Sequence, residues 1–341
     1  MHRGVATSRT ALTVVALAAV AVVASGCSSS PSNVGAPTTT TRATTSTTGG
    51  PAGNWSKAVP VAAGANLTTI SCPSAGTCLV GDANGNTYRL QLSRSMPLGP
   101  ALPSPSPQGV SYLSCVSALL CAAAPSENRV AMFNGSAWQP PATVAGAAGF
   151  TAIDCTSPAF CITIDGEGNS FAFNGTGWTG NLGAWGAANQ ISCVSPTFCV
   201  AAEGGPTVFS GHSWTQPTDA DTHGQLNSVS CATTTFCALV DSSGNVLTWN
   251  GVGFTPPTPI ATEPPLNGTD ASGLTGVSCP TPAFCRAVDS IGRVFGWNGT
   301  SWSSGTLIDN GHALTAVSCP TTTYCVAVDR SGNAFFSDES R

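Results

Sequence analysis

The chain has 341 residues, with 11 Lys and Arg against 16 Asp and Glu, which gives a formal net charge of −5 at pH 7. Only 8% of the residues are charged, whereas glycine occurs 38 times and cysteine 15 times. A basic stripe of the kind that binds phosphate backbones is absent, which argues against nucleic acid as a partner. Few charges and many small residues suit an exported all-β protein.

Residues 1–26 have the features of a secretory signal peptide. Arg3 and Arg9 precede the uncharged run ALTVVALAAVAVVA, which is too short for a comfortable transmembrane helix. The run ends in ASG directly before Cys27. This resembles the lipobox of bacterial lipoproteins, which implies that Cys27 is lipidated and anchors an exported chain to the outer face of the cytoplasmic membrane. An ordinary signal peptidase could instead cut near ASG and release a free secreted protein, and both alternatives stay open.

Residues 27–53 are rich in Ser, Thr, Gly and Pro and nearly devoid of large apolar side chains. Such a segment cannot bury enough surface to fold, so we predict a disordered tether with a typical reach of about 28 Å. The signal peptide takes two arginines with it, and a single lysine, Lys57, remains in the mature chain.

Residues 54–341 repeat a unit of about 40 residues. The pattern Cys-x5-Cys occurs seven times, each copy preceded by an alternating apolar stretch. An acidic residue follows in every copy but the second, which has Pro125 there, and glycine, aromatic residues and, in several copies, Asn-Gly-x-x-Trp come after it. The strand signals are Leu314 to Cys319, Tyr324 to Asp329 and Arg293 to Trp297, with a fourth expected from Trp302. Four short strands with this period are typical of a β-propeller blade.

The two ends of the repeat region complement each other. The last copy stops at NAFFSDESR without its fourth strand, and the segment from Asn54 to Pro60 supplies a strand before the first copy begins. We therefore predict an all-β, monomeric, seven-bladed β-propeller of four-stranded blades, whose ring is closed by the N-terminal strand.

The Gly-x-x-Trp element resembles the Asp-box loops of sialidase-like propellers, within a superfamily that also includes galactose-oxidase-like propellers. The resemblance covers Asn54 to Arg341, and it is partial. The Asp-box aspartate belongs two residues before the glycine, where this chain has Phe133, Phe173, Trp249 or Trp297.

The fourteen cysteines after Cys27 occur two to a blade. In an exported chain they predict one disulfide within each blade, because the facing ends of two antiparallel strands lie within bridging distance. Zinc sites favour closer cysteine pairs, and redox sites favour Cys-x-x-Cys. The predicted pairs are Cys72–Cys78, Cys115–Cys121, Cys155–Cys161, Cys193–Cys199, Cys231–Cys237, Cys279–Cys285 and Cys319–Cys325.

An acidic residue recurs four positions after the second cysteine, and in most copies a glycine follows three residues later. Asp at the first and Gly at the fourth position of a β-turn is favourable turn chemistry. The alternative is an acidic face that holds a cation or a cationic ligand. Two of the turn segments, Asp82 to Asn86 and Asp165 to Asn169, weakly resemble calcium-binding loops but lack the later bidentate glutamate. The candidate ligand face comprises Asp165, Glu203, Asp241, Asp289 and Asp329 together with Trp185, which lies outside the repeat pattern.

No catalytic motif or cofactor signature occurs in the sequence, and no cofactor is expected. The composition and repeat therefore favour non-catalytic binding or scaffolding at the cell surface, with the membrane lipid on Cys27 and a cell-wall glycan or another surface protein as partners. The alternative is a glycan-active hydrolase or lyase with a site in the central pocket. Any binding function is expected where the copies differ, and the longest variable connection between blades is Thr255 to Gly273.

Overall fold

A computed structural model describes residues 52–91, 101–102, 110–124, 127–180, 182–183, 188–202, 205–217, 224–262, 273–310 and 312–338. The predicted signal peptide, Cys27 and all but the last two residues of the tether lie outside these ranges. The described part is built of strands and turns, and it contains no helix with the length and hydropathy needed to span a membrane.

The strands form seven antiparallel sheets, and the order along the chain matches the order within each sheet except in the last. The first strands are β2 (Leu67–Ser74), β5 (Tyr112–Ser117), β9 (Phe150–Ser157), β13 (Gln190–Ser195), β17 (Leu226–Thr233), β21 (Leu274–Thr281) and β25 (Leu314–Thr321). The second strands are β3 (Thr77–Asp82), β6 (Leu120–Ala124), β10 (Phe160–Asp165), β14 (Phe198–Ala202), β18 (Phe236–Asp241), β22 (Phe284–Asp289) and β26 (Tyr324–Asp329).

The third and fourth strands lie farther from the centre of the ring. The third strands are β4 (Thr87–Gln91), β7 (Arg129–Phe133), β11 (Ser170–Phe173), β15 (Thr207–Phe209), β19 (Asn245–Trp249), β23 (Arg293–Trp297) and β27 (Asn333–Asp338). The fourth strands have two residues each and are β1 (Val59–Pro60), β8 (Ala142–Thr143), β12 (Trp178–Thr179), β16 (Trp214–Thr215), β20 (Thr258–Pro259) and β24 (Thr306–Leu307).

The sheets form a closed ring. Each first strand contacts the first strands of both neighbouring sheets, and β25 of the last sheet contacts β2 of the first. The fold is therefore a seven-bladed β-propeller, as the repeat predicts, and the first strands line its centre.

The core lies between the blades. There are seven hydrophobic clusters in the described chain, and each draws its side chains from two neighbouring sheets. Second strands such as β18 are buried along nearly their whole length because sheets cover both of their faces. This explains why they read as continuous apolar runs rather than as alternating strands.

The N-terminal strand completes the last blade, which confirms the predicted closure. Val59 pairs with Ala334, and Trp55 forms a bridge with Ser337. Farther along this edge, the Ser56 N–H donates to the Phe336 carbonyl at 2.8 Å, and the Phe336 N–H donates to the Ser56 hydroxyl at 3.0 Å. The sheet order β1-β27-β26-β25 thus joins the two ends of the propeller.

The outer edges depart from the predicted strands in two ways. Among the described residues, blade one has three strands, and its fourth position is a single bridge between Leu102 and Thr87. In blades two, five and six the fourth-strand aromatic residue makes only a bridge to the third strand, and the fourth strand begins four residues later. In blade six this residue is Trp302, which bridges to Trp297. There the Ser303 hydroxyl accepts the Gly296 N–H at 2.9 Å, so a side chain takes a ladder bond that a backbone carbonyl would otherwise make.

All seven predicted disulfides are present, with Cα–Cα distances of 3.9 to 4.1 Å. Each joins the first strand of a blade to its second. In blades two to five the two cysteines are direct ladder partners, whereas in blades one, six and seven the ladder is interrupted beside the first cysteine. Pro73, Pro280 and Pro320 follow the cysteine in those three blades, and proline has no N–H to donate.

Candidate functional site

The recurring aspartates close the turn between the second and third strands. Five are described, and each is at most 1% exposed: Asp82, Asp165, Asp241, Asp289 and Asp329. In every copy Oδ1 accepts the backbone N–H groups two and four residues later, at 2.7 to 3.1 Å. Oδ2 accepts from the side chain four residues later, an asparagine in four blades and Arg293 in blade six. Each carboxylate is thus enclosed by its own turn.

The backbone conformation of this turn requires glycine at its fourth residue. The fourth residue has φ between 80° and 95° in all five copies, a region that side chains with a Cβ rarely adopt. At Gly332 a Cβ would also overlap the carbonyl oxygen of Ala62, which follows the closing strand β1. The last turn of the ring therefore depends on glycine for both conformation and space.

Four members of the candidate ligand face, Asp165, Asp241, Asp289 and Asp329, occupy these turns in four different blades. Glu203 and Trp185 lie outside the described residues. Burial opposes ionisation of Asp165, but hydrogen bonds from Ala148, Asn169 and Glu167 outweigh it and lower the pKa of Asp165. No group of three or more metal-ligating side chains is found among the residues that the structure describes.

A belt of hydrogen bonds joins neighbouring blades around the centre. The residue before the first cysteine of a blade accepts the backbone N–H of the first cysteine in the next blade, at 2.7 to 3.0 Å, and seven such bonds close the circle. Six acceptors are serine hydroxyls: Ser71, Ser114, Ser192, Ser230, Ser278 and Ser318. This belt therefore joins each blade to the following one at the first cysteine of its disulfide.

Asp154 is the seventh acceptor and breaks the pattern. Its Oδ2 accepts the Cys193 N–H at 2.7 Å, while its Oδ1 accepts the Ser114 hydroxyl and the Cys155 N–H at 2.7 and 2.9 Å. Burial raises the pKa of Asp154 to about 6, although the three hydrogen bonds oppose the rise. Asp154 is not among the site residues predicted from the sequence, although its copy is the only one of the seven without serine before the first cysteine.

Other ionisable groups are engaged locally. Tyr88 donates to Asp82 at 2.9 Å, and burial together with this bond raises the pKa of Tyr88 to about 12. Arg286 lies 4.0 Å over the ring of Phe284. Such placements hold Tyr88 neutral and keep Arg286 against its own blade.

Two carboxyl groups meet between blades six and seven. Asp309 is 8% exposed, and its Oδ1 lies 3.2 Å from His312 Nδ1. Burial and the neighbouring carboxyl of Asp329 raise the pKa of Asp309, and His312 partly offsets the rise. Because Asp329 is wholly buried, this pair is enclosed within the fold.

The fourth-strand aromatic residues pack on the third strand of their own blade. The ring centroids are 5.0 to 5.7 Å apart in Phe133–Trp138, Phe173–Trp178, Phe209–Trp214, Trp249–Phe254 and Trp297–Trp302. Two indole N–H groups reach the preceding blade, from Trp138 to the Thr87 hydroxyl at 2.8 Å and from Trp214 to the Ser170 hydroxyl at 3.0 Å. These aromatic residues therefore pack within and between blades.

A groove of about 470 Å³ lies between the outer strands of blades five and six. It is lined by Thr248, Thr255, Thr258, Thr262, Thr300, Ser301, Ser303, Ser304, Val246, Pro259, Ile260, Trp297 and Trp302. Its described lining is hydroxyl, aliphatic and indole, without a charged side chain. A groove of this size is in the range of sites that bind small molecules or short peptide segments.

No protein-family model matches the chain, and neither does any curated relative. Solved structures do match. YCF48 bound to a D1 peptide is 12% identical, with a TM-score of 0.66 and coverage of 83% of this chain and 96% of that one. The structure of U3-55K is 10% identical (TM-score 0.69, 83% and 98% covered), and the WD40 propeller domain of Doa1 is 8% identical (TM-score 0.69, 84% and 98% covered). The β-propeller fold is shared.

At these identities the likeness establishes the fold alone. The resemblance to sialidase-like or galactose-oxidase-like propellers stays a prediction.

Proposed function

We propose that this protein is a non-catalytic binding or scaffolding propeller that recognises a protein partner. The observation that carries this proposal is the uncharged groove between blades five and six, which presents indole and hydroxyl groups at the rim. The described turn aspartates, by contrast, are engaged inside the fold, because each accepts at least three hydrogen bonds within its own turn.

The nature of the partner is supported by the similar structures. YCF48 is described bound to a D1 peptide. The match to the WD40 propeller domain of Doa1 covers 98% of that chain. We extend the peptide-binding mode of YCF48 to this chain as part of the proposal, and a protein segment is accordingly the favoured partner over a cell-wall glycan.

The cellular setting is also part of the proposal. We place the propeller at the outer face of the cytoplasmic membrane, held there by a lipid on Cys27 and the tether of residues 27–53. The support is the signal-like leader, the small residues before Cys27 and the pairing of all fourteen described cysteines in disulfides, which form in oxidising compartments.

The test is a binding and turnover experiment with the exported, oxidised full chain. The immobilised protein is probed with an array of tiled peptides from envelope proteins and with an array of envelope glycans, and the same glycans are incubated with the protein in solution. We expect saturable binding of peptides and no glycan product. Reduced and alkylated protein is the control for non-specific capture. Release of glycan fragments with multiple turnovers would overturn the proposal in favour of a hydrolase or lyase.

A further inference from the structure

The indole N–H of Trp302 differs from those of its counterparts in blades two and four. In those blades the fourth-strand tryptophan donates to a hydroxyl at the start of the preceding blade's third strand. In blade five that register position is Val246, which pairs with Val240 as Thr87 pairs with Gly81 in blade one. Valine offers no acceptor, and within the described part of the chain Trp302 makes no hydrogen bond through its indole nitrogen.

Trp302 and Val246 both line the groove between blades five and six. The indole N–H of Trp302, for which no described residue is the acceptor, therefore lies in a groove where a ligand can supply one. Thr258, Thr262 and Thr300 line the same groove, and their hydroxyls make no hydrogen bond to other described residues. The groove thus combines several free donors with aromatic and aliphatic surface.

The edge of blade five does not accept another strand. Its outer segment contains Pro256, Pro257 and Pro259, and proline carries no N–H to pair with an incoming backbone. The Ile260 and Ala261 N–H groups are already donated to the Gly244 carbonyl at 3.0 and 3.1 Å. A ligand must therefore be recognised by side chains rather than by extension of the sheet.

We propose that the groove between blades five and six binds an uncharged, proline-rich segment of a partner protein in the polyproline II conformation. This inference rests on the proposed function and names its site and ligand class. Proline rings pack on indole and aliphatic side chains, and the peptide carbonyls, which lack internal hydrogen bonds in this conformation, accept from Trp302 and the threonine hydroxyls. The uncharged lining matches an uncharged ligand.

A neutral glycan shares part of this chemistry, since sugars also stack on indoles. Sugar hydroxyls, however, are strong donors that need acceptors, and the described lining contains no carboxylate or amide side chain. The indole N–H of Trp302 can only donate, whereas each hydroxyl of the lining can donate one hydrogen bond and accept others. A run of carbonyl acceptors without N–H groups complements them better, and the polyproline segment is the ligand we assign.

The test uses a fluorescein-labelled acetyl-decaproline amide, titrated with the oxidised full chain and followed by fluorescence anisotropy. Trp302→Phe keeps the aromatic pair with Trp297 but removes the N–H, and we expect affinity to fall about five- to tenfold, the range for one lost hydrogen bond. Val246→Thr supplies Trp302 with the internal acceptor found in blades one and three, and we expect a similar loss although nothing is deleted.

The matched control is Trp178→Phe. Trp178 occupies the equivalent place in blade three, packs on Phe173 at 5.5 Å and faces Val130 at the corresponding position of blade two, but does not line the groove. Its substitution should leave affinity within about twofold. A ten-residue Gly-Ser peptide and chitohexaose are the competing ligands, and circular dichroism and thermal unfolding establish that each variant folds.

Absence of decaproline binding, or equal losses in the Trp302 and Trp178 variants, would overturn the inference. Binding of chitohexaose that depends on Trp302, without binding of decaproline, would overturn it in favour of a glycan site. Peptides captured in the array experiment that bind Trp302→Phe unchanged would refute this groove while leaving the scaffold function intact. Capture of no peptide at all would count against both.

Discussion

Replacing Asp154 should change the pH dependence of stability in a direction opposite to that of replacing Asp165. Burial raises the pKa of Asp154 from 3.8 to about 6 in the folded chain, so the folded state binds the proton more tightly than the unfolded state. The stability that this group contributes is therefore fully present below pH 3.8 and is lost as the pH rises through 6. A shift of about two units corresponds to up to about 3 kcal/mol of unfolding free energy.

The assay compares wild type with Asp154→Asn and Asp154→Ser by urea unfolding between pH 3 and 8, with disulfides intact and tryptophan fluorescence as the signal. Between pH 4 and 7 the wild type should lose up to about 3 kcal/mol relative to either variant. Serine restores the residue of the other six blades and should keep the hydrogen bond from the Cys193 N–H.

Asp165→Asn is the control of opposite sign. The pKa of Asp165 is lowered, so its stabilisation is present above pH 3.8 and is lost only as the pH falls through the lowered value. The difference between wild type and Asp165→Asn should be flat from pH 5 to 8 and shrink below pH 4. Parallel curves for wild type and both Asp154 variants between pH 4 and 7 would refute the reasoning.

Three further outcomes follow from the structure. Gly332→Ala should lower the free energy of unfolding by at least about 2 kcal/mol and speed amide exchange in β1. Gly64 has a φ of 76° but open space around it, so Gly64→Ala should cost only about 1 kcal/mol. Similar losses for the two variants would contradict the overlap with Ala62. Denatured oxidised protein should show no free thiol among the fourteen blade cysteines in a thiol-titration assay, and the double variant Cys155→Ala, Cys161→Ala should lose about 2 kcal/mol in thermal unfolding. Cys27→Ala should move the protein from the membrane to the soluble fraction; unchanged membrane association would refute the lipid anchor.

The architecture was readable from the sequence because its determinants repeat. The cysteine pairs, the Asp-x-x-Gly turns and the missing last strand each recur or complement one another within the chain, so seven copies reinforce one interpretation. Local turn chemistry accounts for the aspartates: their hydrogen bonds span two to four residues, which is the range over which sequence patterns are informative.

The belt around the centre was not readable in the same way. Six of its bonds join residues 39 to 49 positions apart in the chain, and the seventh joins Cys72 of the first blade to Ser318 of the last, 246 positions apart. All of them exist only once the blades are assembled. The groove likewise depends on two blades at once, because Val246 matters only opposite Trp302. Asp154 was nevertheless visible as an exception within an alignment of the copies, whereas Val246 was not, because valine also occupies this position as Val130 and Val294. Glu203 and Trp185 remain predictions.

The closure of blade seven by β1 makes completion of the ring conditional on both ends of the chain. Six blades can form from contiguous segments, but Val59 pairs with Ala334, which lies 275 residues later in the chain. Closing so long a loop costs entropy that grows only logarithmically with length. A chain truncated before β27 would expose an unpaired strand of blade seven at one end and β1 at the other, and such edges invite pairing between molecules. Chains that lack either end should therefore aggregate more readily than complete ones.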